Sequence, residues 1–466
     1  MASLHDRVEG VLLGTAAGDA LGAPYEFQPA RGPELPVEMA GGGPWAPGEW
    51  TDDTAMAIAI AEVAATGADL REAAAQDAIV ARWHEWSLGA KDVGIQTRSV
   101  LRTAVRDGAP SAAGARAASA ALHEETGRTA GNGSLMRTAP VALTYLDDED
   151  AMVEAARAIS ELTHFDLDAA DATVLWCCAI RHAVLTTELD VRIGLAHLNS
   201  ERRSVWSQRL DEAEAARPAD FANNGWVVAA LQAAWSAIVT TAGARPGPEH
   251  LRRGLDAAVR CGNDTDTVAA IAGGLLGAAY GASAVPLQWR TLLHGWPGMR
   301  ARGLVGLATA VHAKAPVSDP DYSWSADVLA AHPHDPQVLL GSVSALRRLP
   351  AEVSAVVSLC RIPDGQVPEG MPHVEVRLID KVDFDENPHL DHVLLDAVGM
   401  VEELRAQGHT VLLHCVESYS RTPTVAALYG ARLQGIGTEE ALRDVLTVLP
   451  DANPNPVFRE ALRRLG

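Results

Sequence analysis

Three short stretches of the chain combine residue types that do chemistry at spacings that let them act together. The first is Thr51-Asp52-Asp53-Thr54, directly before the apolar run AMAIAIAEVAA. The second is Gly262-Asn263-Asp264-Thr265-Asp266-Thr267, before VAAIAGGLLGAAY. A carboxylate at a helix start satisfies free N–H groups and the helix dipole, but one Asp is enough for that. Two Thr/Asp/Asp sets, each opening a very apolar helix, bury more negative charge than capping uses. Hard oxygen donors of this kind suit Mg²⁺ or Mn²⁺, which would neutralise the charge. The third stretch is VLLHCVESYSRTPT, residues 411–424: a β-type run, then His414-Cys415, five residues, Arg421, and a helix start at Thr422-Pro423. A helix N-terminus favours a thiolate, the nucleophilic form of cysteine, and Arg421 would close the loop with a planar fork matched to phosphate oxygens.

Other segments carry less. Gly131-Asn132-Gly133-Ser134 reads either as a turn whose amides cradle a phosphate or as a plain loop between helices. In GVLLGTAAGDALGAPYEF, residues 10–27, Gly14, Gly18 and Gly22 allow close approach of a helix or a ligand, and Glu26 stands at the end beside aromatics. His164, in LTHFDLDAAD, suits a packing role as well as a ligand role.

The elements that must position these groups fall into two kinds. Up to about residue 310 apolar residues recur with helical spacing, as in TVLWCCAIRHAVL and WVVAALQAAWSAIV, and alternating β-branched runs are scarce. The uncharged run Val268 to Trp289 has the length of a membrane span, but its Ala, Gly and Ser content predicts a buried, tightly packed helix. After KAPVSDPDYSW, residues 314–324, come the β-type runs VLLGSV, AVVSLC, HVEVRLI and TVLLHC, with the helical stretches VLLDAVGMVEELRAQG and EEALRDVLTVL. We therefore expect a large all-α domain, residues 1–312, followed by a small α/β domain, residues 313–466, with no internal repeat.

Composition sets limits on partners. The 466 residues carry 38 basic and 60 acidic side chains, a formal charge of −22. A field of that sign repels nucleic-acid backbones and anionic membranes, so phosphate must be held locally, by amides, a cation or single arginines. Cys177, Cys178, Cys261, Cys360 and Cys415 are sparse and without framework spacing, which suggests reduced thiols, and the first residues, MASLHDRVEG, lack a signal-peptide pattern. A cytoplasmic location is expected.

The segments GxxxGxAxGDALGxPxEF, TDDT, GNGSLMR, LTH and GNDTDTxAA, in order over roughly residues 5 to 300, resemble the ADP-ribosylglycohydrolase family. That resemblance implies an all-α fold with a binuclear Mg²⁺ centre (Mn²⁺ an alternative) that removes ADP-ribose from a modified acceptor. It implies ligands at Thr51, Asp52 and Asp53 and at Asp264, Asp266 and Thr267. It also implies catalytic roles for Glu26, near the metals, and Asp92, as proton acceptor, and substrate contacts at Gly131, Asn132, Gly133, Ser134 and His164. The acceptor is a protein or a small molecule, and another ribosyl compound is the alternative substrate.

Over about residues 320 to 466 the HC-x5-R-T-P pattern resembles dual-specificity phosphatases of the cysteine-phosphatase superfamily. Cys415 then acts as nucleophile with Arg421, and Ser420 and Thr422 contact substrate in the same loop. Asp380 best matches the general acid, with Asp383 and Asp385 as rivals. Ser418 departs from the family's usual glycine, at a loop position needing glycine-like backbone angles. Two readings stand: an active phosphatase working on the same or a related phosphorylated substrate, or an inactive phosphate-binding module that recruits phosphorylated partners.

Overall fold

Glycine spacing dictates the centre of the large unit. The computed structural model describes residues 3–105, 109–244 and 247–466. Helix α1, Leu4–Gly22, packs along helix α6, Thr265–Tyr280, so closely that side chains are excluded. A Cβ on Gly14 would lie 2.3 Å from the carbonyl oxygen of Gly273, and one on Gly18 would lie 2.0 Å from that of Ala269. Both helices are buried on nearly every face, in keeping with their long runs of small and apolar residues. The unit also contains α2, Asp52–Ala64, α3, Ile95–Ala104, α4, Leu167–Thr186, and α5, Val227–Thr241, and of these α2, α4 and α5 pack against the central pair. The uncharged run does not stay helical to Trp289: α6 ends at Tyr280, where Gly281 takes a left-handed φ of 81° and a Cβ would strike the Asp6 carboxylate. Among the described residues no helix is long and apolar enough to cross a membrane.

The second compact unit is Ser318–Gly466 together with Pro286–Thr291; the first is Leu4–Val285 with Leu292–Val317. Its centre is a five-stranded sheet. Strands β1 (Leu329–His332), β2 (Asp335–Ser342), β3 (Ala355–Ser358), β4 (His373–Glu375) and β5 (Val411–Cys415) lie in the order β1-β2-β5-β3-β4. Only β1 is antiparallel to its neighbour, and β5 is central and wholly buried. The expected strand over HVEVRLI stops at Glu375, and β1, whose sequence LAAH has no β-branched residue, was not apparent from the sequence. Helices α7 (Leu390–Ala406), α8 (Arg421–Gln434), α9 (Thr438–Val448) and α10 (Pro456–Leu465) complete the unit. Val338, Val357, Leu413, Val398, Val425 and Phe458 are members of its main core.

Candidate functional site

In the large unit, three chain segments deliver carboxylates to one buried spot. Asp53 lies in the first turn of α2 and Asp266 in the first turn of α6, with Asp264 as the residue capping α6. Glu26 is drawn in by a short bridge: Phe27 N–H donates to Asn263 O at 2.7 Å, and Asn263 N–H to Gln28 O at 2.7 Å. Two triplets of carboxylate oxygens result, each within 4.8 Å of one another: Asp19, Asp53 and Asp266, and Glu26, Asp264 and Asp266. Asp266 belongs to both.

Asp19 is the member that sequence reasoning missed. It sits on α1 within the glycine stripe and is fully buried. One oxygen accepts the N–H of Thr51 at 2.9 Å; the other accepts the N–H and hydroxyl of Thr54 at 3.0 and 2.6 Å. It thus holds the start of α2 from a neighbouring helix, where the Thr51 side chain supplies no cap. An acidic residue inside an otherwise small and apolar stripe was the available signal. Asp52, by contrast, belongs to neither triplet, although Asp19 and Asp92 are near enough to repel it.

Burial and mutual repulsion push every one of these carboxyls upward. Desolvation first, then Asp264 and Asp92, raise Glu26 to about 8. Desolvation first, then Asp19 and Asp92, raise Asp52 to about 7. Asp19 rises to about 6 by desolvation, opposed by its bonds from Thr54 and Thr51. Asp53 and Asp266 are raised well above the usual range, by desolvation and then by neighbouring carboxylates. Asp264 is also raised by burial, against hydrogen bonds led by that from Asn132.

Whether this set fits a cation can be tested on its unmet bonds. Asp53 Oδ1 and Asp266 Oδ1 are buried without a hydrogen-bond partner. Arg137 is the buried guanidinium facing Asp52, but its Nη2 donates to Ile159 O and Thr163 Oγ1, and burial lowers it to about 9. Thr51 and Thr267 turn their hydroxyls toward Asp53 Oδ2, at 3.1 and 3.4 Å. Clustered hard oxygens with unmet acceptors and no bonded basic side chain fit divalent cations.

The remaining predicted residues surround this spot. Asn132 is not an open amide cradle: its N–H is committed to Gly225 O at 3.1 Å, and its side chain donates to Asp264 at 2.8 Å and to Asn224 O at 2.9 Å. Gly131 and Gly133 flank it, and Ser134 is buried at the end of the same short 3-10 turn, with its hydroxyl unmet. His164 lies beneath the turn, where a Cβ on Gly133 would come within 3.0 Å of its ring. Burial holds His164 well below its usual range, and its Nδ1 meets Thr163 Oγ1 at 2.7 Å. Asp92 is half-exposed at the rim, 3.8 Å from Arg98.

In the small unit the central strand β5 ends in Cys415 and α8 starts at Arg421, so residues 416–420 form a loop at a helix N-terminus. Ser418 adopts φ 56°, the left-handed region that the sequence suggested, with a side chain where glycine is at ease. The buried Ser418 Oγ, Thr422 Oγ1 and Arg421 Nε have no hydrogen-bond partner among the described residues, while Arg421 Nη1 donates to Leu359 O and Leu378 O. Asp380 lies 3.8 Å from Arg421 Nε, and Ser420 Oγ accepts the N–H of Asn455 at 3.1 Å. Asp383 instead caps a short turn through Asp385 N–H, at 3.0 Å. Cys415 is 1% exposed at the end of its strand.

Comparison with known proteins agrees with both architectures. The family model for ADP-ribosylglycohydrolase matches residues 1–320. The chain belongs to the ADP-ribosylglycohydrolase family. Among its relatives in that family, ADP-ribosylarginine hydrolase Tri1 of Pseudomonas putida is 31% identical over 298 residues, covering 61% of this chain and 73% of the relative. ADP-ribosyl-[dinitrogen reductase] glycohydrolase of Rhodospirillum rubrum is 29% identical over 307 residues, covering 62% and 91%. A smaller region is similar to dual-specificity phosphatases: Dual specificity protein phosphatase 15 of Rattus norvegicus is 35% identical over 71 residues, 15% of this chain and 30% of that protein. The chain is an ADP-ribosylglycohydrolase-family protein with a phosphatase-like α/β unit.

Proposed function

We propose that the large unit hydrolyses the bond between ADP-ribose and an acceptor, arginine foremost, at a centre of two Mg²⁺ ions. The observation that carries this reading is the pair of carboxylate triplets sharing Asp266, one fully buried and one half-buried, in a chain of this family. Two relatives named for ADP-ribosylarginine and ADP-ribosyl-[dinitrogen reductase] support the acceptor class. Asp19, Asp53, Asp264, Asp266 and Glu26 would hold the ions, with Thr51, Asp52 and Thr267 beside them. When bound, the ions supply Lewis-acid binding of ribose hydroxyls and of water. The chain's own groups do the rest. Departure from the anomeric carbon builds positive charge, which the carboxylates around Asp266 stabilise. Asp92, at the half-exposed rim, takes the proton of the attacking water as the C–N bond breaks, and the guanidine nitrogen keeps the electron pair. Asn132 fixes Asp264, and the turn over His164 borders the substrate.

The small unit, in the same proposal, is a cysteine-dependent phosphatase working on the same or a related substrate. Cys415 Sγ attacks phosphorus, Arg421 binds the phosphoryl oxygens with its fork, and Asp380 protonates the leaving oxygen. Water then releases phosphate from the thiol. The deciding experiment is a panel of ADP-ribosylated acceptors and phosphoesters given to wild type, Asp264→Ala and Cys415→Ser. Hydrolysis of ADP-ribosylarginine that is lost with EDTA and with Asp264→Ala supports the first site. Activity indifferent to both sinks it. Phosphate release that persists in Cys415→Ser removes the second.

A further inference from the structure

Asn455 stands immediately before α10 and makes polar contacts in three directions. Its Oδ1 accepts Phe458 N–H at 3.0 Å, capping the helix. Its backbone N–H donates to Ser420 Oγ, in the Cys415 loop, at 3.1 Å. Its Nδ2 donates to Asp380 Oδ1 at 2.9 Å. Two residues earlier, Asn453 N–H donates to Tyr419 O at 2.7 Å, so the same segment grips the loop twice.

Asp380 needs such a partner. It lies between β4 and α7, in a stretch that is neither helix nor strand, with a side chain 30% exposed. Without a second contact its carboxyl is free to rotate, and neither oxygen keeps a fixed direction relative to the loop. A donor on Oδ1 makes that oxygen the accepting one. That leaves Oδ2, the oxygen 3.8 Å from Arg421 Nε, on the side of the loop's arginine.

We propose that Asn455 is a positioning residue of the phosphatase-like site, holding Asp380 so that its Oδ2–H faces the leaving oxygen; this rests on Asp380 as the general acid. In that step the Cys415 Sγ–P bond forms and the P–O bond breaks with its electron pair on oxygen. The Asp380 Oδ2–H bond gives its proton to that oxygen. The neighbouring contacts to Ser420 and Tyr419 fix the acid relative to the loop that binds the phosphoryl group.

The test uses the full chain and two aryl phosphates, one with an acidic phenol as leaving group (4-nitrophenyl phosphate) and one without (phenyl phosphate). Asn455→Asp keeps the helix-capping oxygen and the backbone N–H but loses the donor to Asp380. It should unfold at wild-type urea concentration, yet slow phenyl phosphate by about tenfold or more while slowing 4-nitrophenyl phosphate far less. Asp380→Asn should show the same selective loss, and the double variant should be no slower than Asp380→Asn alone. Equal losses on both esters, or additive losses in the double variant, would mean a structural role only and overturn the proposal. Wild-type rates in Asn455→Asp would also overturn it. A wild-type protein inert on both esters refutes the phosphatase reading itself, a result distinct from either of those.

Discussion

Asp19 on the first helix accepts both the backbone N–H and the hydroxyl of Thr54, 35 residues away, through one carboxylate oxygen at 3.0 and 2.6 Å. Its other oxygen takes Thr51 N–H. Asp19→Ala leaves these buried donors unmet, and the expected cost is about 2–4 kcal/mol of unfolding free energy. Urea titration checks it. A loss below about 0.5 kcal/mol would show that water replaces the carboxylate without penalty.

Asp266 joins both carboxylate triplets, so removing its charge relieves repulsion and also removes the shared donor. Asp266→Asn should be more stable than wild type in EDTA. Wild type should gain about 2.7 kcal/mol at Mg²⁺ a hundredfold above its dissociation constant, and the variant little. Thermal melts with and without Mg²⁺ read both effects. Equal Mg²⁺ gains in the two proteins would refute the shared-ligand assignment.

Gly18 faces the Ala269 carbonyl with no space for a methyl group, a Cβ there lying 2.0 Å from the oxygen. Backbone cannot yield as a flexible side chain does. Gly18→Ala should therefore destabilise the large unit by about 3 kcal/mol. Because Asp19 is the next residue, the Mg²⁺-dependent rise in melting temperature should shrink as well. Calorimetry measures both.

Ser418 holds a left-handed backbone with its hydroxyl buried and unmet. Ser418→Gly should stabilise the small unit by about 0.5–1 kcal/mol in urea unfolding, the relief of side-chain strain exceeding the added freedom of the unfolded chain. Destabilisation would show that the hydroxyl has a structural role.

His414 is buried beside Ser358, whose hydroxyl meets its Nε2 at 2.7 Å, and desolvation lowers its pKa from 6.5 to about 3. Between those values the unfolded chain takes up a proton that the folded chain refuses. This contribution to stability is complete above about pH 6.5 and is lost progressively as pH falls toward 3. His414→Gln removes the titrating group, so its stability relative to wild type should improve between pH 7 and pH 5. Urea unfolding at the two pH values gives the comparison, and a constant difference would refute it.

The sequence by itself determined the kinds of chemistry and the two architectures. Period-3.6 apolar runs, the acidic sets at two helix starts and the His-Cys-x5-Arg loop are local patterns, governed by backbone geometry within a few residues. Ser418 at a left-handed position follows from the same local rule. Tertiary structure decided which groups meet. Asp19 joins Asp53 and Asp266 only because the glycine stripe lets α1 pack on α6 at backbone contact. Asn132 clamps Asp264 with its side chain while its backbone N–H is bonded to Gly225 O, and Asn455 reaches Asp380 across 75 residues. Such pairings depend on interhelical distance and loop closure, set by the packing of the whole core rather than by any window of sequence.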